Sequence, residues 1–511
     1  MLLGRRAFLG AALRATGAIA LGAPAIVRGD ATRPGIPSGT ASGDVTGDRA
    51  VVWSRTDRPA RMRVEWATTE SFQDPRRVTG AVATEASAFT ARLDLTSLPA
   101  GQRIFYRVTF EDLADARNVS LPAPGSFLSA PDAPRDLTFA WSADTCGQGW
   151  GINRDWGGLK MYETIRRARP DFFLHLGDTI YADGPLSAER PLPDGTVWKN
   201  VVTESKAKVA ETLDDFRGNH LYNLLDENVR RLNAEVPQGV VWDDHEVLDN
   251  WYPAKVLQDP RYHEKRVAVL ARRARQAFLE HVPIRISSGA PRIDRQLRYG
   301  PLLDVFLLDL RGARAANSAN RQRSAGAATA LAGARQLAWL ERALEASTAT
   351  WKVIASSQPI GVLVRDGELF DGIANGDGPA LGRELEVAGL LAFLRRRHLR
   401  NVVWLTADVH YAAAHRYDPE RARFKGFDPF WEFVAGPLHG GTGPRLAMDD
   451  TFGPEVRFVG VPEGIGYELG PPSGLQFFGT VSIDAASGTM SVRLHDLSGE
   501  VLYSTELEPH R

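Results

Sequence analysis

The sequence predicts a layered α/β domain preceded by an all-β module, and three observations carry that prediction. From about Pro34 to Ala130 the chain is a series of short β-type runs separated by Gly, Pro, Asp and Thr clusters. Beyond a Pro-rich joint, Pro122-Ala123-Pro124 to Pro131-Asp132-Ala133-Pro134, strand and helix patterns alternate. Carboxylates and imidazoles then follow directly after successive apolar strands.

The chain divides into residues 1–30, 34–130 and 136–511. Gly4-Arg5-Arg6-Ala7-Phe8-Leu9 opens an Ala/Gly/Leu-rich stretch that closes at Ala23-Pro24-Ala25, the pattern of a cleavable export signal. The paired arginines followed by Phe-Leu resemble a twin-arginine signal, which implies the twin-arginine export machinery as a partner and a bacterial periplasmic or secreted location. Its uncharged run is too short for a membrane span, and no second candidate span follows. In 34–130 the expected strands are Ala50 to Trp53, Met62 to Trp66, Ala91 to Leu95 and Ile104 to Phe110, at sandwich spacing. Leu98 to Arg107, a turn leading into an aromatic strand, resembles the end of a fibronectin type III-like domain.

In 136–511 the expected strands are Leu137 to Ser142, Phe172 to Leu176, Gly239 to Trp242, Leu302 to Leu308, Trp351 to Ala355 and Asn401 to Thr406. Helical periodicity is read over Leu159 to Arg169, Glu264 to His281 and Gln336 to Ala346, and Ala313 to Arg335 reads as an exposed loop. Leu475 to Leu507 returns to a β pattern. Lys plus Arg (61) nearly equals Asp plus Glu (62), which excludes the global basic field of a nucleic-acid binder. One cysteine, Cys146, excludes an intrachain disulfide framework.

The chemistry concentrates where ligands bind in layered α/β folds, beyond the carboxyl ends of strands. Leu137 to Ser142 runs into Asp144-Thr145-Cys146 and the Gly-rich loop Gly147-Gln148-Gly149-Trp150-Gly151. Phe172 to Leu176 delivers Asp178 and Tyr181, and Gly239 to Trp242 delivers Asp243-Asp244-His245-Glu246 with Asn250 beyond. Trp351 to Ala355 gives Ser356-Ser357-Gln358, and Asn401 to Thr406 gives Asp408-Val409-His410. Such groups after successive strands point to one shared polyvalent metal site.

Leu176-Gly177-Asp178-Thr179-Ile180-Tyr181-Ala182-Asp183 and Trp242 to Trp251, with Asp144 and His410, resemble the calcineurin-like metallophosphoesterase superfamily, and within it the alkaline phosphatase D (PhoD-like) family, related to the purple acid phosphatases. The resemblance implies a metallophosphoesterase β-sandwich flanked by helices. It implies hydrolysis of phosphate mono- or diesters by metal-activated hydroxide. It also implies metal roles for Asp144, Asp178 as the bridging carboxylate, Tyr181, Asp244, Asn250 and His410. His245 matches the acid or charge stabiliser, kept in its tautomer by Glu246 or Asp243.

Three departures from the family pattern are chemically coherent: Cys146 stands where an imidazole is usual, Ser357 near another, and Asp408 in place of a third. Oxygen donors in place of imidazoles favour Fe(III), Ca or Mn over Zn, and the resemblance points to iron with calcium. Cys146 reads equally as a metal ligand and as a small buried hydrophobe. Gly147 and Gly149 are candidates for an anion cradle and His439 for a substrate contact, whereas His175 reads as a core histidine and Gly218-Asn219-His220 is set aside for want of a preceding strand. The alternative, a non-catalytic exported metal- or phosphate-binding protein, predicts no acid/base histidine and is disfavoured by His245 beside Glu246.

Overall fold

A computed structural model describes residues 33–286, 291–466 and 469–510. The export-signal reading, residues 1–30, lies outside the described residues.

Two sheets face each other. The nine-stranded sheet runs, in spatial order, Val501–Leu507, Met490–Asp496, Phe477–Ile483, Leu137–Ser142, Phe172–Leu176, Gln238–Val241, Thr40–Gly43, Ala50–Arg55 and Thr90–Leu95. The seven-stranded sheet runs Arg295–Arg298, Leu303–Leu307, Trp351–Ala355, Val402–Thr406, Phe430–Val434, Ala413–Tyr417 and Pro454–Val459. The centre of each is parallel: Leu137–Ser142, Phe172–Leu176 and Gln238–Val241 in the first, and Leu303–Leu307 through Phe430–Val434 in the second.

Side-chain alternation explains why these apolar runs form strands covered on both faces. Phe139, Trp141, Leu174, Leu176, Val305, Leu307, Val353, Val403 and Leu405 share the large core between the sheets. The intervening Ala140 and Phe173 pack outward with Met161 and Ile165 of the helix Lys160–Arg167 and with Leu232 of Glu227–Glu235. Phe306, Ile354 and Trp404 do the same with Leu340 of Ala334–Glu345 and Leu391 of Glu384–Arg396. The structure is thus the expected layered α/β sandwich flanked by helices.

The preceding β region shares a sheet with this sandwich. Arg76–Ala83, Ala60–Ala67, Arg103–Asp112 and Ala123–Leu128 form a separate four-stranded sheet. Thr40–Gly43, however, pairs in parallel with Gln238–Val241 and so continues the nine-stranded sheet. Gly43 is required there, because a Cβ would collide with the Gln238 and Pro283 carbonyls. Gly218 to His220 lies on the helix Leu213–Asn223, where His220 stacks on His281, with ring centroids 5.4 Å apart. Ala313 to Arg335 departs from the exposed loop expected. Arg314, Asn317, Asn320 and Thr329 in it are buried; partners in the 371–383 segment take up the hydrogen bonds of Asn317 and Asn320, Gln358 receives Arg314, and Thr329 bonds Gly326.

A carboxyl pair secures that segment. Glu384 Oε2 accepts from Asn375 Nδ2 (2.8 Å) and Leu381 N (3.1 Å), while Asp449 Oδ2 accepts from Asn375 N (3.2 Å) and Gly376 N (3.3 Å). Glu384 Oε1 is buried with no hydrogen-bond partner, beside the Asp449 carboxyl. Burial, then the Asp449 charge, pushes Glu384 up to about 9. A carboxyl raised on folding contributes stability that is full below its unfolded value and declines as pH rises towards the folded value. Glu384→Gln, which removes the titration and donates an N–H to Asp449, is therefore expected to flatten the fall of Tm across neutral to mildly alkaline pH. Parallel Tm profiles for the two proteins would contradict the raised titration of Glu384.

Candidate metal centre

The strand ends converge on one acidic pocket. Asp144, Asp178 and His410 place ligand atoms within 4.8 Å of one another, as do Asp178, Asp244 and His245, and Asp243, Asp244 and Asp408. Asp178 therefore joins the first two groups and Asp244 the last two.

The backbone delivering these side chains is strained. Asp144 (φ 67°), Asp178 (51°), Asn250 (54°), Asp408 (69°) and His410 (59°) all occupy the left-handed region that non-glycine residues rarely adopt. Strain of this kind persists only where the surroundings impose it, and it clusters at functional sites. One surrounding constraint is Glu246, which is fully buried. Its Oε2 accepts from Asp178 N (3.1 Å) and Asp243 N (2.7 Å), and its Oε1 accepts from Thr179 N (2.6 Å) and Thr179 Oγ1 (2.7 Å). The carboxylate thereby ties the second and third strand-end loops together.

The electrostatics are those of a site built for cations. Both Asp144 oxygens and Asp243 Oδ2 are buried with no hydrogen-bond partner. Burial, reinforced by neighbouring carboxylates, holds Asp144, Asp178 and Asp408 well above the usual carboxylate range. Asp244 alone is held low, because the Arg311 and His245 charges outweigh its burial. Orphaned buried carboxylates with an imidazole among them fit a polyvalent metal. His410 fits too: Nδ1 bonds the Gly441 carbonyl, which fixes the tautomer and leaves Nε2 as an acceptor, bonded to the Tyr181 hydroxyl at 2.8 Å and 3.7 Å from Asp144 Oδ1.

His245 is oriented differently from expectation. Its Nδ1 bonds Asp183 Oδ1 at 2.8 Å, and Asp183 Oδ2 accepts from Asp249 N. Neither Glu246 nor Asp243 orients it: Glu246 is saturated by backbone N–H groups and Thr179, and Asp243 Oδ1 accepts from Arg311 Nε (2.7 Å) and Ser357 Oγ (2.8 Å). Tyr181 stacks on the imidazole, with centroids 4.1 Å apart. Burial alone would lower the His245 pKa, but the Asp183, Asp244 and Asp178 charges raise it well above its ordinary value.

Other expected site residues stand outside the three donor groups. Cys146 belongs to none of the three groups; it packs with Ile152, Leu159 and Met161, and burial pushes its thiol up to about 12. Gly147 and Gly149 are closely packed. The space a Cβ would take is filled at Gly147 by the Tyr181 ring and at Gly149 by the Arg190 guanidinium. His439 is buried between Trp156 and Trp198, and its Nε2 bonds the Gly151 carbonyl at 3.0 Å. Asn250 supports Asp244 through its backbone N (2.8 Å to Oδ2). His175 is a buried core residue whose Nε2 bonds Thr145 Oγ1 at 3.0 Å.

Sequence reasoning missed Asp183 and Arg311. Asp183 stands within the quoted Gly-Asp-Thr-Ile-Tyr-Ala-Asp block, and Arg311 follows the apolar strand Leu303–Leu307 at the same sheet edge. Position at a strand's carboxyl end was the available signal for the arginine.

The profile of the family described as PhoD-like phosphatase matches residues 139–494, and that of its N-terminal domain matches residues 22–131. The chain belongs to the PhoD-like phosphatase family. It is 31% identical over 444 residues to alkaline phosphatase D of Bacillus subtilis (strain 168), covering 80% of this chain and 70% of that protein. A solved structure of PhoD superposes with a TM-score of 0.68 at 22% identity, covering 93% of both chains. The purple acid phosphatase PPD1 from yellow lupin seeds superposes at 0.55 and 12% identity, over 93% of this chain and 74% of that one. The PhoD-like protein described here is thus a phosphoesterase whose Asp/His groups suit metal-dependent hydrolysis of phosphate esters.

Removing the Asp183 charge takes away a group that stabilises the imidazolium. Asp183→Asn is expected to move the His245 titration, followed by NMR of the imidazole, to lower pH. An unchanged titration would show that Asp183 does not set the state of His245.

Proposed function

We propose that this PhoD-like enzyme is exported from a bacterial cell and hydrolyses phosphate monoesters, diesters or both at a multi-metal centre containing iron and calcium. The observation that carries the reading is the set of buried, unpartnered carboxylates at strained strand ends, with Asp178 common to two donor groups. Asp144, Asp178 and His410 would hold one ion with the Tyr181 phenol beside them, and Asp244 with Asp178, or with Asp243 and Asp408, would hold another. Bound cations at such a centre lower the pKa of water and offset the charge of the phosphoryl group.

Iron(III) and calcium rather than zinc are favoured by the donor chemistry, which is mainly carboxylate and phenol oxygen with one imidazole in the first group. Burial and the surrounding carboxylates hold the Tyr181 phenol well above its ordinary value, so a strong Lewis acid is needed to ionise it.

His245 supplies the proton. Asp183 fixes its Nδ1, so Nε2 is the nitrogen left to protonate the leaving alkoxide, and the neighbouring carboxylates keep the ring cationic at neutral pH. Its side chain is 18% exposed, which keeps it accessible to a substrate. Tyr181, stacked flat on the imidazole, limits its rotation. The 34–130 module supports this domain through the strand Thr40–Gly43, and the paired arginines at Arg5 and Arg6 support twin-arginine export.

The purified protein is expected to hydrolyse p-nitrophenyl phosphate, bis-p-nitrophenyl phosphate or both, to lose activity on chelation, and to show a visible tyrosinate-to-iron band that disappears in Tyr181→Phe. Chelator-resistant activity would contradict metal dependence; a colourless, active protein would contradict iron at Tyr181.

A further inference from the structure

The most heavily built polar structure outside the donor groups lies behind Asp243 and Asp244. Arg311 is fully buried; its Nε donates to Asp243 Oδ1 at 2.7 Å, its Nη2 lies 3.5 Å from Asp244 Oδ2, and its Nη1 donates to Asp371 Oδ1 at 2.9 Å. Asp371 is also fully buried and receives Gln358 Nε2 at 2.6 Å and Asn317 Nδ2 at 3.1 Å. Arg314 Nη2 lies 3.4 Å from its other oxygen. Arg383 fixes the backbone of this turn by donating to the Phe370 and Asp371 carbonyls, both at 2.9 Å.

A guanidinium free to turn would settle bidentate on the nearest carboxylates and neutralise them. Here Asp371 holds one of its nitrogens back. Asp243 therefore receives a single bond from Arg311, besides that of Ser357 Oγ, and keeps Oδ2 unpartnered, while Asp244 stays beyond hydrogen-bond distance at the third nitrogen. We propose that Asp371 is a positioning residue which, acting through Arg311, keeps the Asp243, Asp244 and Asp408 donor group open to a cation. Without its charge, Arg311 turns onto Asp243 and Asp244 and competes for the oxygens a metal would use. No hydrogen bond or ion pair joins Arg311 to Asp144, Asp178 or His410 among the described residues, so their group loads independently. The proposal rests on the reading of the pocket as a metal centre.

The test counts bound manganese(II) by electron paramagnetic resonance as the full-length apoprotein is titrated with the metal alone. Outer partners of metal ligands typically change affinity by about 10- to 100-fold. Asp371→Asn is expected to weaken one class of equivalents by at least about tenfold on that scale and leave the other unchanged. Arg314→Gln perturbs the same network without touching Asp243 or Asp244 and is expected to leave both classes unchanged. Equal binding by Asp371→Asn and wild type overturns the proposal, as does equal loss in Arg314→Gln, which would make the network merely structural. If Asp371→Asn does not fold, Arg311→Lys, which shortens the link but keeps the charge, is expected to lose the same class, and its retention overturns the proposal. A wild type that binds no manganese overturns the metal-centre reading itself.

Discussion

Repulsion among buried carboxylates is the constraint on which the rest of the site depends. Two such charges 4.8 Å apart, the outer bound within each donor group, repel by roughly 3 kcal/mol at an effective dielectric of about 20. Asp144, Asp178, Asp243 and Asp244 share one pocket at 2% exposure or less. A fold that keeps them together must either protonate them or supply cations, and a phosphoesterase uses the second solution to bind an anionic substrate. The orphaned oxygens of Asp144 and Asp243 are the structural trace of that choice.

The scaffold keeps the pocket open in three ways. Parallel strands packed on both faces set the loop origins, so the ligands emerge from one edge of each sheet. The Glu246 carboxylate fastens the Asp178 and Asp243 loops to each other through backbone N–H groups. Arg311 supplies a fixed positive charge behind Asp243 and Asp244, which helps hold Asp244 below the usual carboxylate range beside its neighbour. The first donor group and the imidazole proposed as proton donor thereby share one wall: Tyr181 touches His410 on one side and His245 on the other.

The sheets and ligands were legible in the sequence because periodicity reports burial and because ligands cluster after strands. Leu137–Ser142, Phe172–Leu176 and Trp351–Ala355 were placed to the residue for that reason. The roles of Glu246, Gly147 and Cys146 were not legible. Whether a carboxylate bonds an imidazole or three backbone N–H groups depends on loops 67 residues apart meeting in space. Gly147 looks like any flexible glycine until the Tyr181 ring is found against it. Asp371, 60 residues from Arg311, carries no local pattern at all. Thr40–Gly43 went unread because a four-residue strand leaves almost no periodicity, even with its antiparallel partner Ala50–Arg55 close by in the chain.

The claim that one carboxylate unites the centre is tested most directly by counting metal equivalents in Asp178→Asn beside the wild type, with folding checked by circular dichroism. Because Asp178 belongs to the Asp144–His410 group and also stands beside Asp244 in a second group, the account predicts a folded variant that loses metal at both positions and no longer hydrolyses phosphate esters. A folded variant that retains the wild-type metal count would contradict it.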